Sequence, residues 1–351
     1  MKVSVIGCGT IANSAHIPAY LKNPDAEIVY VCDIIEERAE KARERCGEGT
    51  VSITDYRDAL RDPAVEAISI CVPNHMHAQI AIDALRAGKN VLCEKPAART
   101  YAEALEMQKA RQKSGKVLNI GVVNRFNDGV NLIREYIRGG KLGEVFHVYA
   151  SFRAHRSIPG LGGAFTTQAI AGGGALIDWG VHFLDIVMYC CGDPKSLTVT
   201  GEVFSKLGRD MRGYAYKDMW AGPPDYSGTY DVEDSVTGMI RTDGPTITLN
   251  GAWAQNIGVP EMFIDFMGEK AGIRLQYGET FTLYTAEHGA LVSYTPEYTA
   301  RNHFENEIDA FLQCIRTGEK LASHIDTVII TAQIMQAIYD SAAKHAEISL
   351  T

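Results

Sequence analysis

Through the first third of the chain, apolar runs of four to six residues, each closed by a glycine or a polar residue, alternate with amphipathic stretches. The runs at 2–6, 27–32, 66–71, 90–93 and 116–120 predict strands. Helices are expected from Ala12 to about Leu21, from the residues after His77 through Ala87, and over 101–114. Continuous apolar strands separated by helices are buried on both faces, which implies a parallel sheet with helices on either side. From about Val123 the rhythm changes. A helix over 129–138 ends in Gly139-Gly140, and a long strand follows through Arg153. Runs at 196–204, 232–241, 246–255, 261–268 and 280–285 then come with no helices between them. That pattern predicts an open, mostly antiparallel sheet with one buried face. The expected fold class is therefore α/β, a doubly wound parallel sheet followed by an α+β domain, and 351 residues suit two cores.

Composition narrows the partners. A formal charge of −9 disfavours nucleic acid and anionic membrane, both of which reward a basic face. No apolar run is expected to reach the ~20 residues of a membrane helix, and the first residues lack a signal-peptide pattern. Of eight cysteines, Cys8, Cys32, Cys71 and Cys93 fall at the ends of predicted strands, and no C-x-x-C occurs. Reduced thiols packed as small hydrophobes, and a cytoplasmic location, are expected.

Strand 2–6 runs into Gly7-Cys8-Gly9-Thr10-Ile11-Ala12, the G-x-G-x-x-A form of a dinucleotide fingerprint. Gly7 permits the tight turn, Gly9 a close approach of backbone to pyrophosphate, and Ala12 close helix–strand packing, with Thr10 and Ile11 opening the helix. Asp33, 24 positions beyond Gly9, closes the second strand, where a carboxylate accepts ribose hydroxyls and repels a 2′-phosphate. Ile34 follows with no group to cradle that phosphate, although Arg38 lies one turn on. NAD is favoured over NADP. Pro73, Asn74 and His77 end one strand, Glu94-Lys95-Pro96 ends the next, and Asn124 lies just past the last. All are assigned to the cofactor side of a Rossmann sheet. Asn74 and His77 also read simply as a turn residue and a first-turn helix residue.

Asp178, His182 and Asp185 are spaced i, i+4, i+7 on an apolar helix and so share a face. Three readings stand at this point: a core histidine satisfied by a neighbouring aspartate, part of a metal site, or an acid/base pair. No second ligand cluster is evident, and no metal is expected.

Pro73-Asn74-x-x-His77, Glu94-Lys95-Pro96, Leu142-Gly143-Glu144-Val145, and Gly173-Gly174-x-Leu176-x-Asp178-x-Gly180-x-His182-x-x-Asp185, with Phe304, Glu307, Phe311 and Gly318 downstream, resemble the glucose–fructose oxidoreductase / inositol dehydrogenase / MocA family. The resemblance implies an NAD-binding Rossmann domain at 1–122. It implies a substrate-binding and oligomerisation domain at 123–351, with a helical segment at about 302–343 packing back on the first. It implies Lys95, Asp178 and His182 as catalytic residues that also touch substrate, and a homo-oligomer (dimer, tetramer or higher). The reaction implied is oxidation of a secondary hydroxyl of a sugar by hydride transfer to nicotinamide, with C3 of a glucoside foremost. An inositol dehydrogenase, a redox-assisted glycosidase and a non-catalytic nucleotide sensor are the alternatives. Which of Lys95 and His182 accepts the proton stays open. Arg153, His155 and Asn256 are expected to bind the polyol. The long loop over 208–230, with Tyr214, Tyr216, Trp220, Tyr226 and Tyr230, is expected to stack on sugar or build a subunit contact.

Overall fold

A computed structural model describes residues 1–217, 219, 221–278 and 280–350. The chain divides into two compact units, 1–127 with 301–329, and 128–300 with 330–351.

In the first unit, β1 (Lys2–Ile6), α1 (Ile17–Lys22), β2 (Glu27–Cys32), α2 (Glu36–Cys46), β3 (Val51–Ile53), α3 (Tyr56–Arg61), β4 (Ala67–Ile70), α4 (His77–Arg86), β5 (Asn90–Glu94), α5 (Tyr101–Ser114) and β6 (Leu118–Gly121) alternate as expected. The small elements α2, β3 and α3 were not foreseen, because Val51-Ser52-Ile53 is too short to carry a periodic signal. All six strands pair in parallel, in the order β3-β2-β1-β4-β5-β6. This is the doubly wound order whose carboxyl edge, between β1 and β4, is where such sheets bind ligands. Local chemistry sets the ends. Thr100 and Glu103 form a reciprocal capping box on α5, and Gly115, with φ 68°, closes it.

In the second unit, α6 (Asp128–Arg138) leads to β7 (Val145–Arg153), α7 (Gln168–Ala171) and α8 (Val181–Cys190). Then come β8 (Ser196–Phe204), β9 (Ser235–Thr242), β10 (Thr246–Ala252), β11 (Glu261–Gly268), β12 (Ala271–Gln276), β13 (Phe281–Glu287) and β14 (Ala290–Tyr294). With β15 (Ile348–Ser349) they form one nine-stranded sheet, β14-β13-β12-β11-β7-β10-β9-β8-β15, in which β7–β10 is the parallel pair. Val148, Ala150 and Phe152 of β7, Ile264 and Phe266 of β11 and Leu249 of β10 turn one face onto α6 and α8. At roughly 25 cal/mol per Å² this shared burial is the unit's main stabilising term.

Helix α9 (His303–Thr317) and residues through Ile329 belong to the first unit, whereas α10 (Ile325–Lys344) continues from Ile330 into the second. One helical stretch, 168–190, does reach the length and hydropathy of a membrane span, against expectation. Its most apolar window is 72% buried inside the fold, so its apolarity serves the core. All eight cysteines are free thiols.

Candidate active site

In the first unit the nucleotide loop is held from three sides. Gly7 adopts φ 93°, and a Cβ there would lie 2.4 Å from the Cys71 carbonyl oxygen, so only glycine lets β1 turn against β4. The Gly7 amide donates to the Cys32 carbonyl at 2.7 Å. Asp33 is fixed by two backbone donors, Cys8 N–H to Oδ2 at 3.0 Å and Ile35 N–H to Oδ1 at 2.9 Å. A Cβ on Gly9, by contrast, would meet nothing within 4 Å, which leaves its backbone open to an approaching ligand. Asn13, overlooked in the sequence, donates from Nδ2 to the carbonyls of Cys8 (2.8 Å) and Gly9 (3.0 Å) and fastens the loop to the wide π turn Ala12–His16. Thr10 is exposed and Ile11 half-buried at the head of that turn. Ile34 is 89% exposed and Arg38 lies exposed in the first turns of α2. An adenine dinucleotide fits this set: an open Gly9 cradle, a helix start behind it and a preset carboxylate at the end of β2.

At the carboxyl ends of β4 and β5, Pro73 is exposed and Asn74, which starts a 3₁₀ turn, is half-buried. His77 does not face outward as expected. It is buried, with Nδ1 2.8 Å from the Pro96 carbonyl and Nε2 2.9 Å from that of Val72. It is a strut joining the two strand ends, and burial holds its pKa below the usual value. Asn124 is half-buried in a 3₁₀ turn, Val123–Phe126. Lys95 is half-buried, and its backbone N–H donates to Glu94 Oε2 at 3.1 Å. Glu94 is buried and pairs through Oε1 with His16 Nε2 at 2.8 Å, a partner 78 positions away. Only a histidine in the fingerprint helix, four residues past Ala12, could have hinted at it.

In the second unit Asp178 sits on a π turn, Leu176–Gly180, and His182 on the α8 that follows. The expected shared face is thus carried by a widened turn, of the kind that recurs at functional sites. Both side chains are half-buried, whereas Asp185 is buried. Trp253, fully buried at the end of β10, donates from Nε1 to Asp178 Oδ2 at 3.2 Å. The His182 ring lies 6.2 Å from that of Tyr277, which stacks on Phe183. The glycine run before the turn serves close approach. A Cβ at Gly173 would fall 2.1 Å from the Tyr339 hydroxyl, and one at Gly174 would fall 1.9 Å from the Glu233 carbonyl. The Glu233 carboxylate accepts from Gly174 N–H (2.8 Å), Leu176 N–H (2.9 Å) and the Tyr339 hydroxyl (2.9 Å). Burial pushes its pKa up despite these donors.

The expected polyol contacts have protein partners of their own. Side chains alternate along β7, so Arg153 projects from the face opposite Phe152, which packs against Phe183 of α8. Arg153 is committed to Glu261 at 2.7 Å. His155 is exposed and donates to the Gln255 carbonyl at 3.0 Å, and Asn256 accepts from Arg156 at 2.8 Å. Part of the described 208–230 loop packs inward. Tyr214, Tyr216 and Tyr230 pack with Ile158, Leu161 and Trp253 in a small core, while Tyr226 remains exposed and Trp220 lies outside the described residues. Asp234 anchors the loop's start by accepting from the amides of Lys206, Leu207 and Gly208 at 2.6–3.0 Å. Among the described residues no group of three or more His, Cys, Asp or Glu could hold a metal ion.

Comparison with known proteins agrees with this geometry. Residues 1–122 match the model of an oxidoreductase family with an NAD-binding Rossmann fold, and residues 130–274 match the GFO/IDH/MocA C-terminal domain. The chain is 31% identical to D-glucoside 3-dehydrogenase of Escherichia coli K12 over 100% of its own length and 97% of the relative's. It is 31% identical to levoglucosan dehydrogenase of Pseudarthrobacter phenanthrenivorans over 69% of its length and 64% of the relative's. A solved levoglucosan dehydrogenase in complex with NADH shares the fold, with a TM-score of 0.84 and 24% identity over 100% of this chain and 99% of that one. The chain belongs to the Gfo/Idh/MocA family of NAD-binding oxidoreductases.

Proposed function

We propose that the protein oxidises the C3 hydroxyl of a glucoside, with Lys95, Asp178 and His182 as its catalytic residues. The observation that carries this reading is the full-length match to a D-glucoside 3-dehydrogenase. The Asp178 carboxylate, which Trp253 holds in place on the turn before His182, supports the residue roles.

NAD supplies the hydride acceptor when bound, with Gly7, Gly9, Thr10 and Ile11 at the pyrophosphate and Asp33 at the adenosine ribose. The protein's own task is the proton. As the carbinol carbon is oxidised, its O–H bond gives its proton to His182, leaving a ketone and a protonated imidazole. Asp178 orients that imidazole and offsets its charge. Lys95 donates a hydrogen bond to the reacting oxygen and stabilises negative charge building there. Arg153, paired with Glu261, and His155, on the Gln255 carbonyl, are proposed contacts to the sugar's other hydroxyls.

The outward sheet face carries Tyr149 and Phe263 in edge contact at 5.8 Å, with the exposed Tyr284 nearby on β13, and supports a homo-oligomer formed through that face. Eight free thiols support a reducing, cytoplasmic setting. The test of substrate is regiochemical. Incubation with NAD and methyl β-D-glucoside, then borodeuteride, should place deuterium at C3 of the recovered sugar. Deuterium at no ring carbon, with NAD reduced by myo-inositol instead, would make the protein a cyclitol dehydrogenase.

A further inference from the structure

Behind Lys95 lies a buried polar group that the proton chemistry above does not use. His16, 1% exposed, ends the π turn Ala12–His16, with Nε2 2.8 Å from Glu94 Oε1 and Nδ1 2.8 Å from Ser69 Oγ. The Tyr20 hydroxyl donates to the same serine at 3.3 Å. Glu94 spends its second oxygen on the backbone N–H of Lys95. Gly121 closes over the carboxylate, where a Cβ would already stand 3.2 Å from it. The two oxygens of Glu94 are thus divided, one to His16 and one to the residue carrying the ammonium.

The titratable groups facing this pair are Cys71 against His16, Cys93, His77 and Lys95 around Glu94, and Glu307 on the far side of Tyr20. Burial opposes charge on His16, but its contacts with Cys71 and Glu94 outweigh it and raise its pKa. Burial also raises the Cys71 thiol, so near neutral pH it carries no charge and Glu94 is the counter-charge. Burial would likewise raise Glu94, yet His16 and Lys95 hold it below the ordinary value. An imidazolium on its other oxygen makes the pair net neutral.

We infer that His16 is a positioning residue of the reaction: through Glu94 it fixes the backbone of Lys95 and cancels the carboxylate charge beside it. With that backbone fixed, the Lys95 ammonium is held where it can donate to the reacting oxygen. The inference rests on the catalytic reading of Lys95.

A split between kcat and KM separates this from packing. In His16→Gln and in Glu94→Gln kcat should fall by at least about tenfold, with the KM for NAD within about twofold of wild type. The double variant should lose no more than the worse single, because both residues act through one contact to the Lys95 backbone. Unchanged kcat in both single variants, or losses that multiply in the double, overturn the inference. A readout free of turnover is histidine ¹⁵N NMR of the NAD-loaded protein. The resonance missing in His16→Gln (or His16→Asn, should the first fail to fold) should be a doubly protonated ring at about pH 8 and become neutral in Glu94→Gln. A neutral His16 in the wild type at that pH also overturns the inference. If Lys95→Ala keeps full activity, the catalytic reading of Lys95 fails on its own, whatever the NMR shows.

Discussion

Glu233→Ala tests how the turn carrying Asp178 is held. The carboxylate is 5% exposed and satisfies two amides at the start of that turn and one phenol. Alanine leaves three donors facing a small cavity. Each buried unmade hydrogen bond costs about 1–3 kcal/mol, and water entering the space recovers part of it, so a loss of about 3–6 kcal/mol is expected. For a unit of this size that corresponds to a fall of roughly 8–20 °C in Tm. Glu233→Gln is the informative companion. It keeps one acceptor, turns an NH₂ toward one of the two amides, and removes a charge whose burial raises the pKa of the native group. A raised native pKa means the folded state binds the proton more tightly, so Glu233 costs stability as pH rises through and above the ordinary carboxylate range. The glutamine variant should therefore lose about 1–3 kcal/mol near neutral pH, less than alanine, and melt with a weaker pH dependence. The assay is calorimetric melting of the NAD-free protein from about pH 5 to 8. An alanine variant melting within ~2 °C of wild type would refute the clamp.

The two fingerprint glycines should respond differently to alanine. Gly7→Ala drives a methyl into the Cys71 carbonyl at a strained φ and should cost about 2–4 kcal/mol by denaturant unfolding. Gly9→Ala meets no protein atom, so stability should hold within ~0.5 kcal/mol while the NAD Kd, read by calorimetric titration, rises at least about tenfold. Trp253→Phe removes the donor to Asp178, and stopped-flow hydride transfer should slow about tenfold with NAD affinity unchanged. His324, buried, has its pKa pushed down to about 4 by burial first and by Arg111 second. The unfolded chain takes up that proton near 6.5, so stability should fall as pH drops from about 6.5 to 4, by up to ~3 kcal/mol. His324→Gln should flatten that stretch of the urea-denaturation profile.

Which parts were legible follows from how local the determinants are. The strands of the parallel sheet, the Gly7–Ala12 turn and Asp33 are written in short segments, each with a backbone reason to exist. Lys95, Asp178 and His182 stand out because polar side chains interrupt apolar runs. The parts that hold them in place do not. His16 meets Glu94, Trp253 meets Asp178 and Tyr339 meets Glu233 across gaps of 78, 75 and 106 positions, and each looks like ordinary core in its own segment. At His77, Arg153 and His155 polarity is legible but partners are not. A strand-end histidine or arginine looks available until the neighbouring backbone carbonyls or Glu261 are in view. The aromatic loop shows the same limit. Tyr214 and Tyr230 read as a sticky surface, whereas amides at Asp225 and Thr229 dock the segment onto Leu161 and Gly162 and turn the rings inward.

The most direct measurement is absorbance in the NADH band when the NAD-loaded protein meets a panel of glucosides, free hexoses and inositols, with Lys95→Ala and His182→Ala alongside. The account predicts reduction with glucosides, falling by at least about a hundredfold in each variant. Aglycone release from an aryl glucoside with no net NADH would contradict it and make the protein a redox-assisted glycosidase. Undiminished reduction in both variants would contradict the assignment of the proton chemistry to Lys95 and His182.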